Sequence, residues 1–305
     1  MIILSRLGLK SSMWVGGFAL SLTDFIVTTL QIAVSCCYIL NYVYPESDVD
    51  MVMLGVFALG SIRYAGFYIS MWITTVISVE RCFCVVFPFK VKRLFTRSRC
   101  VFAIVVIYCV YFSLILPVYI FEKIAWIDIY SIQNNVTVKK KLLTAIYSEE
   151  SLNLEIIIDT IGAVALSVTS QAILIVCTIW MTCALKASSN IRQNKESLYD
   201  PNKSAFKIKT SELSTRERKL IKVVIGLAFV LTFCNIPRYG VLAAYLSIPG
   251  LTGEEYKHLG AFMWDISDFF GTLNCSSNFF VYWFVNSHFR NSLKQLFRLG
   301  PTERQ

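Results

Sequence analysis

The chain has 305 residues, of which 55% are hydrophobic and only 16% charged, and its mean hydropathy is +0.58. Charged residues supply about a quarter of an ordinary soluble domain, so that class is excluded and an all-helical polytopic membrane protein is expected. The net charge of +9 is concentrated in segments flanking apolar runs, the pattern of a topology signal rather than of nucleic-acid binding.

Residues 1–10 lack the long apolar core and small-residue cleavage site of a signal peptide. Six runs long enough to cross a bilayer as helices follow, at about 13–43, 52–83, 100–122, 154–186, 218–246 and 261–285. The first carries a single charge, Asp24, and ends in an acidic loop with Glu46, Asp48 and Asp50. In the second, Arg63, Ser70 and Arg81 are separated by 7 and 11 residues. At about 100° per residue these spacings place all three on one helix face. Buried polar atoms need partners, so the stripe should face the bundle interior. The run closes on Ser78-Val79-Glu80-Arg81-Cys82, and Lys90, Lys92, Arg93, Arg97 and Arg99 come next.

The loop after the third run holds the glycosylation sequon Asn135-Val136-Thr137 and Lys139, Lys140 and Lys141, read as a solvated charge run. Residues 186–222 after the fourth run are basic, polar and rich in Ser and Thr. Such a segment suits contact with a partner protein or a kinase. Pro237 interrupts the fifth run with Cys234 and Asn235 just before it, which predicts a kink. In the sixth, Asn274, Asn278 and Tyr282 recur every four residues and share a face. Residues 287–299 pattern as an amphipathic surface helix, with Phe289, Leu293, Leu296 and Phe297 beside Arg290, Lys294 and Arg298.

The basic segments all fall on one face of this arrangement, which is therefore expected to be cytoplasmic with both termini on it. The ten cysteines lie within the runs or at their inner ends, so no outer-loop disulfide is expected and they read as packing residues. No nucleotide loop, metal cluster or nucleophile triad is present, and no enzymatic activity is expected.

Four motifs in order give these features a common likeness. Leu20-Ser21-Leu22-Thr23-Asp24, Glu80-Arg81-Cys82 with Pro88 following, Phe233-Cys234-Asn235-Ile236-Pro237 and Asn278-Phe279-Phe280-Val281-Tyr282 resemble the second-, third-, sixth- and seventh-helix signatures of rhodopsin-like G-protein-coupled receptors. The triplet with its Val-Val-Phe-Pro-Phe-Lys-Val-Lys continuation is most similar to those of invertebrate, especially molluscan, peptide-like and chemosensory receptors. Phe279 stands where the family has proline and Asn235 where it often has the tryptophan switch. The outer disulfide, the fifth-helix proline and the fourth-helix tryptophan have no counterpart. Six runs against the family's seven spans suggest that the first helix is missing and the chain truncated at its amino end.

The resemblance implies a receptor and no enzyme: a plasma-membrane protein that binds an extracellular small molecule or neuropeptide and activates a heterotrimeric G protein. Arg81 would pair with Glu80 and with Glu217, which stands 20 residues before Pro237 and so, about 30 Å along a helix, near the same inner boundary. Release of Glu217 would accompany activation; an ordinary interfacial ion pair is the alternative. Asp24, Ser70, Asn274 and Asn278 match the family's sodium pocket, which implies an allosteric sodium ion, with a hydrogen-bonded structural Asp24 as the alternative. Arg63, Tyr64, Arg238, Tyr239, Asp265 and Asp268 lie at ligand depth. Two arginines suit a carboxylate, although Arg63 could instead pair structurally with Asp268. A six-span transporter or channel using Asp24, Arg63 and the two Asp, and a non-signalling receptor fragment, are the rival readings.

Overall fold

The computed structural model describes residues 12–87, 91, 93–133, 136–146, 157–158, 160–197, 215–248 and 256–285. Six long helices cover the described parts of the six apolar runs: α1 (Ser12–Val43), α2 (Met51–Val86), α3 (Arg97–Phe121), α4 (Ser167–Ser197), α5 (Thr215–Ser247) and α6 (Lys257–Val285). Asp50 starts α2 by accepting a hydrogen bond from the Met53 amide at 3.0 Å, and Thr96 caps α3 in the same way. Two helices contain a π-helical turn, at Val56–Gly60 within α2 and at Thr160–Leu166 leading into α4. Such a turn displaces backbone carbonyls from the regular ladder, and Tyr119 of α3 donates to one of them, Ala58, at 3.2 Å.

The helices are arranged around α2, which packs against all five others. Its residues from Ala65 to Met71 are buried without interruption, and Leu20, Ile69, Ile73, Leu174, Met181 and Leu227 meet there as the best-buried side chains of the core. The other helices turn large apolar side chains outward, among them Phe25, Phe102, Ile120, Val176, Phe229 and Phe269. An apolar exterior around a polar-containing centre is what a bilayer solvent selects. By length and hydropathy α1, α2, α3 and the Val164–Ala184 part of the fourth helix qualify as spans, and Ile225–Val241 forms a shorter apolar stretch of α5.

The approach of α1 to α2 depends on glycine. A Cβ at Gly66 would lie 2.3 Å from Val27 Cγ2, and Val27 has no accessible surface. Gly66→Ala is therefore expected to destabilise the bundle by about 1–3 kcal/mol through overpacking. Thermal unfolding in detergent checks this, and Val27→Ala in the same chain should recover most of the loss.

An element the hydropathy pattern does not announce covers the loop between α3 and the fourth helix. Strands β1 (Lys123–Gln133) and β2 (Val136–Ile146) pair antiparallel, with Trp126 opposite Leu143. The acidic loop after α1 joins this hairpin: the Leu143 amide donates to Asp48 O at 2.8 Å, and the Asp50 amide donates to Leu143 O at 2.9 Å. Lys140 binds the carbonyls of Glu46 and Ser47 and pairs with Asp48 at 3.4 Å. The lysine run is thus only partly solvated. Lys139 makes an exposed pair with Asp128, of the kind worth little, whereas Lys140 ties the hairpin to the acidic loop after α1. The sequon residue Asn135 and residues 287–299 lie outside the described residues.

Candidate functional site

Three polar groups are distributed along α2, one near each end and one at its centre. At the inner end Glu80 is 3% exposed. Its Oε1 accepts from Arg81 Nη2 at 2.7 Å and from the Ser12 hydroxyl of α1 at 2.5 Å. The Ser12 carbonyl in turn accepts from the Cys100 thiol of α3 at 3.5 Å, so Ser12 joins the Glu80 carboxylate of α2 to α3. Arg81 Nε is buried with no hydrogen-bond partner. Cys82, the third member of the triplet, is buried against Cys177 of α4. Glu217 and Tyr282 fall within α5 and α6, but their side chains lie outside the described residues, and with them the expected pairing of Arg81 with Glu217.

At the centre, Asp24 is 6% exposed. Ser70 donates to its Oδ1 at 2.6 Å and the Asn278 amide donates to its Oδ2 at 2.7 Å. Helices α1, α2 and α6 are therefore joined through a single buried carboxylate. Asn274 lies one turn from Asn278, with its Oδ1 buried and unpartnered. The donor set fits a hard cation, which would take Asp24, Ser70 and Asn274 oxygens. Asn278 presents its NH₂ to Asp24 and so serves as a donor in this arrangement, not as a cation ligand.

At the level of Met71, next to Ser70 on α2, side-chain amides of α4 and α5 form a short chain. Asn235, two residues before the Pro237 break, donates to Gln171 Oε1 of α4 at 3.2 Å and to Met71 Sδ of α2 at 3.4 Å. Gln171 donates to Thr232 Oγ1 at 2.7 Å.

At the outer end Arg63 Nη2 and Asp268 Oδ2 form a salt bridge of 2.7 Å, with side chains 5% and 15% exposed. Arg63 also donates to Gln31 of α1, and the Tyr64 hydroxyl donates to Asp268 at 3.2 Å. The Tyr64 ring centre is 4.5 Å from the Arg63 guanidinium and 5.7 Å from that of Arg238. Arg238 Nη2 donates to the Tyr68 hydroxyl at 2.5 Å. Tyr64, Arg63, Arg238 and Asp268 thus come together as one cluster. Asp265 sits one turn farther out on α6 and is exposed. The Tyr239 hydroxyl donates to the Ser167 carbonyl of α4 at 3.3 Å.

Sequence reasoning passed over Gln31, Tyr68 and Gln171. Both glutamines stand in apolar runs, and the rule that a polar group at bilayer depth needs a partner would have selected them as it selected Asp24. Tyr68 gave no such signal, because a tyrosine in a span reads equally well as packing.

The family model described as 7 transmembrane receptor (rhodopsin family) matches residues 1–282. No curated protein matches the chain.

Proposed function

Because the chain belongs to the rhodopsin family of seven-transmembrane receptors, a family of non-enzymatic multi-pass membrane receptors, we propose that it converts binding of an extracellular ligand into activation of a heterotrimeric G protein at the plasma membrane. The observation that carries this reading is the layout of α2. One helix holds the outer Arg63–Asp268 cluster, the central Asp24–Ser70 contact and the inner Glu80–Arg81 pair. A change of partners at one level can then shift the others, provided ligand and G protein both favour the same arrangement.

The ligand, a chemosensory small molecule or a neuropeptide, enters between Arg63, Tyr64, Arg238 and Asp268. Arg81 with Glu80 and Glu217 forms the inner latch, and Asn135 carries the outer-loop glycan. Second-messenger measurement in cells expressing the chain, alone and with an upstream helix added, tests the proposal. A response to ligand supports it, and its absence from surface-expressed protein in both forms overturns it.

A sodium ion at Asp24, Ser70 and Asn274 is part of the same proposal. Sodium would stabilise the resting arrangement, so raising it should weaken agonist binding, and Asp24→Asn should abolish that dependence. Radioligand displacement in sodium against a bulky organic cation of equal ionic strength reads the difference. Unchanged affinity in the parent chain rejects the sodium site.

A further inference from the structure

We propose that the outer hairpin takes an extended peptide as a third, antiparallel strand along the free edge of β1, with an apolar residue of that peptide over Trp126 and a basic one beside Asp128. The proposal rests on the receptor reading above and specifies its ligand. Strand β1 runs 11 residues opposite β2 in continuous register, with no proline, glycine or bulge in it. Edge strands are ordinarily blunted by such devices, because their unpaired amides and carbonyls accept another chain. Among the described residues, no main-chain hydrogen bond reaches β1 from outside the hairpin.

The register fixes which groups that edge presents. The amide and carbonyl of Leu143 are both taken by the loop after α1, through Asp48 O and the Asp50 amide, so neither faces β1. Leu143 stands opposite Trp126, and opposed residues of an antiparallel pair alternate between exchanging both hydrogen bonds and exchanging none. Trp126 and Leu143 are therefore a pair without mutual hydrogen bonds, and the amide and carbonyl of Trp126 point away from β2. The same holds two residues to either side, at Ile124 and Asp128. Side chains at that spacing share a face, on which Ile124 is 51% and Trp126 56% exposed. The edge that offers free backbone thus also offers apolar surface, on the side of the membrane opposite the basic segments.

These features select the occupant. Main-chain pairing demands an extended chain, and residues placed opposite Ile124 and Trp126 must be apolar to cover them. Opposite Asp128, whose side chain is 43% exposed in its pair with Lys139, a basic residue is favoured, since opposite charges across a strand pair attract. Antiparallel addition is slightly more stable than parallel, so the peptide reads basic, apolar and apolar at alternate positions from its amino end. A small organic molecule could cover the tryptophan but would leave the row of amides and carbonyls unpaired.

The test uses the full chain in lipid nanodiscs and an acetylated pentapeptide of lysine, threonine, valine, threonine and valine in that order, with a fluorophore at its carboxyl end. Anisotropy should show saturable binding, weaker for the peptide of reversed order. N-methylation of the central valine, whose amide faces β1, should weaken binding about tenfold or more. N-methylation of either threonine, whose amide faces away, should change it by less than about twofold. Asp128→Pro deletes an outward amide and no hydrogen bond of the hairpin, so it should weaken binding as much while thermal unfolding stays near that of the parent. Asp128→Lys should prefer the same peptide with glutamate in place of lysine. Absence of saturable binding, equal losses for methylated valine and threonine, or binding untouched by Asp128→Pro overturns the proposal. A chain that is dimeric, ignores the peptide and becomes monomeric with Asp128→Pro carries a second copy on the edge, which overturns it too. Binding is read without a G protein and so separates from the receptor reading. If the peptide is ignored while Glu80→Ala raises basal signalling, the ligand class is wrong and the receptor reading stands. If the peptide binds while cells expressing the chain show neither a basal nor a ligand response, the docking edge stands and the receptor reading fails.

Discussion

Asp268→Asn is expected to remove most of the folded protein from the cell surface. The substitution leaves the Arg63 guanidinium, with its side chain 5% exposed, opposite a neutral amide in place of a carboxylate at 2.7 Å. Breaking one side of a buried ion pair costs about 3–5 kcal/mol, because the remaining charge stays desolvated. That is a large share of a total stability of roughly 5–15 kcal/mol. The contact with Gln31 and the cation–π contact with Tyr64 soften the loss without supplying a counter-charge. Removing both partners, as Arg63→Leu with Asp268→Leu, should restore much of the stability, since a buried pair is often replaceable by apolar groups. Thermal unfolding of the detergent-extracted variants measures both effects. The comparison also separates two roles of the pair. If the double variant folds but no longer answers ligand, Arg63 and Asp268 serve recognition as well as packing. If Asp268→Asn unfolds at the parent temperature, the pair is not structural.

Asp24, Ser70, Arg63 and Asp268 were legible because bilayer physics makes a polar residue in an apolar run an exception that demands a partner. Helical periodicity placed Arg63 and Ser70 on the α2 face that is buried in the fold. The choice of partner was less legible. Arg63 pairs with Asp268, one of its two expected roles, but Arg238 takes the Tyr68 hydroxyl and Tyr239 the Ser167 carbonyl. Those outcomes depend on how neighbouring helices are rotated, which a single-helix pattern does not encode. The hairpin was missed for a related reason. Residues 123–146 alternate only in part, and the hairpin they form is joined through Leu143 and Lys140 to Asp48 and Asp50 of the separate loop after α1. Asn235 in sequence is only a departure from a family tryptophan, whereas the fold gives it hydrogen-bond contacts on two other helices.

Glu80→Ala is expected to raise basal signalling about tenfold. In the arrangement described, Glu80 holds Arg81 at 2.7 Å and is itself held by Ser12 at 2.5 Å. A hydrogen bond to a charged group contributes about 1.5–3 kcal/mol, and each 1.4 kcal/mol of bias between two states changes their ratio about tenfold. If Arg81 leaves Glu80 on activation, the substitution weakens the resting state alone and populates the active one. A receptor active in about 1% of molecules would then be active in about 10%. Ser12→Ala removes only a neutral donor and should act in the same direction more weakly. Arg81→Ala should act the other way, abolishing the ligand response, because the residue to be released is gone. General destabilisation would lower signalling in all three variants along with surface expression. Opposite signs for Glu80→Ala and Arg81→Ala at matched expression therefore identify a latch, and parallel losses identify a structural ion pair.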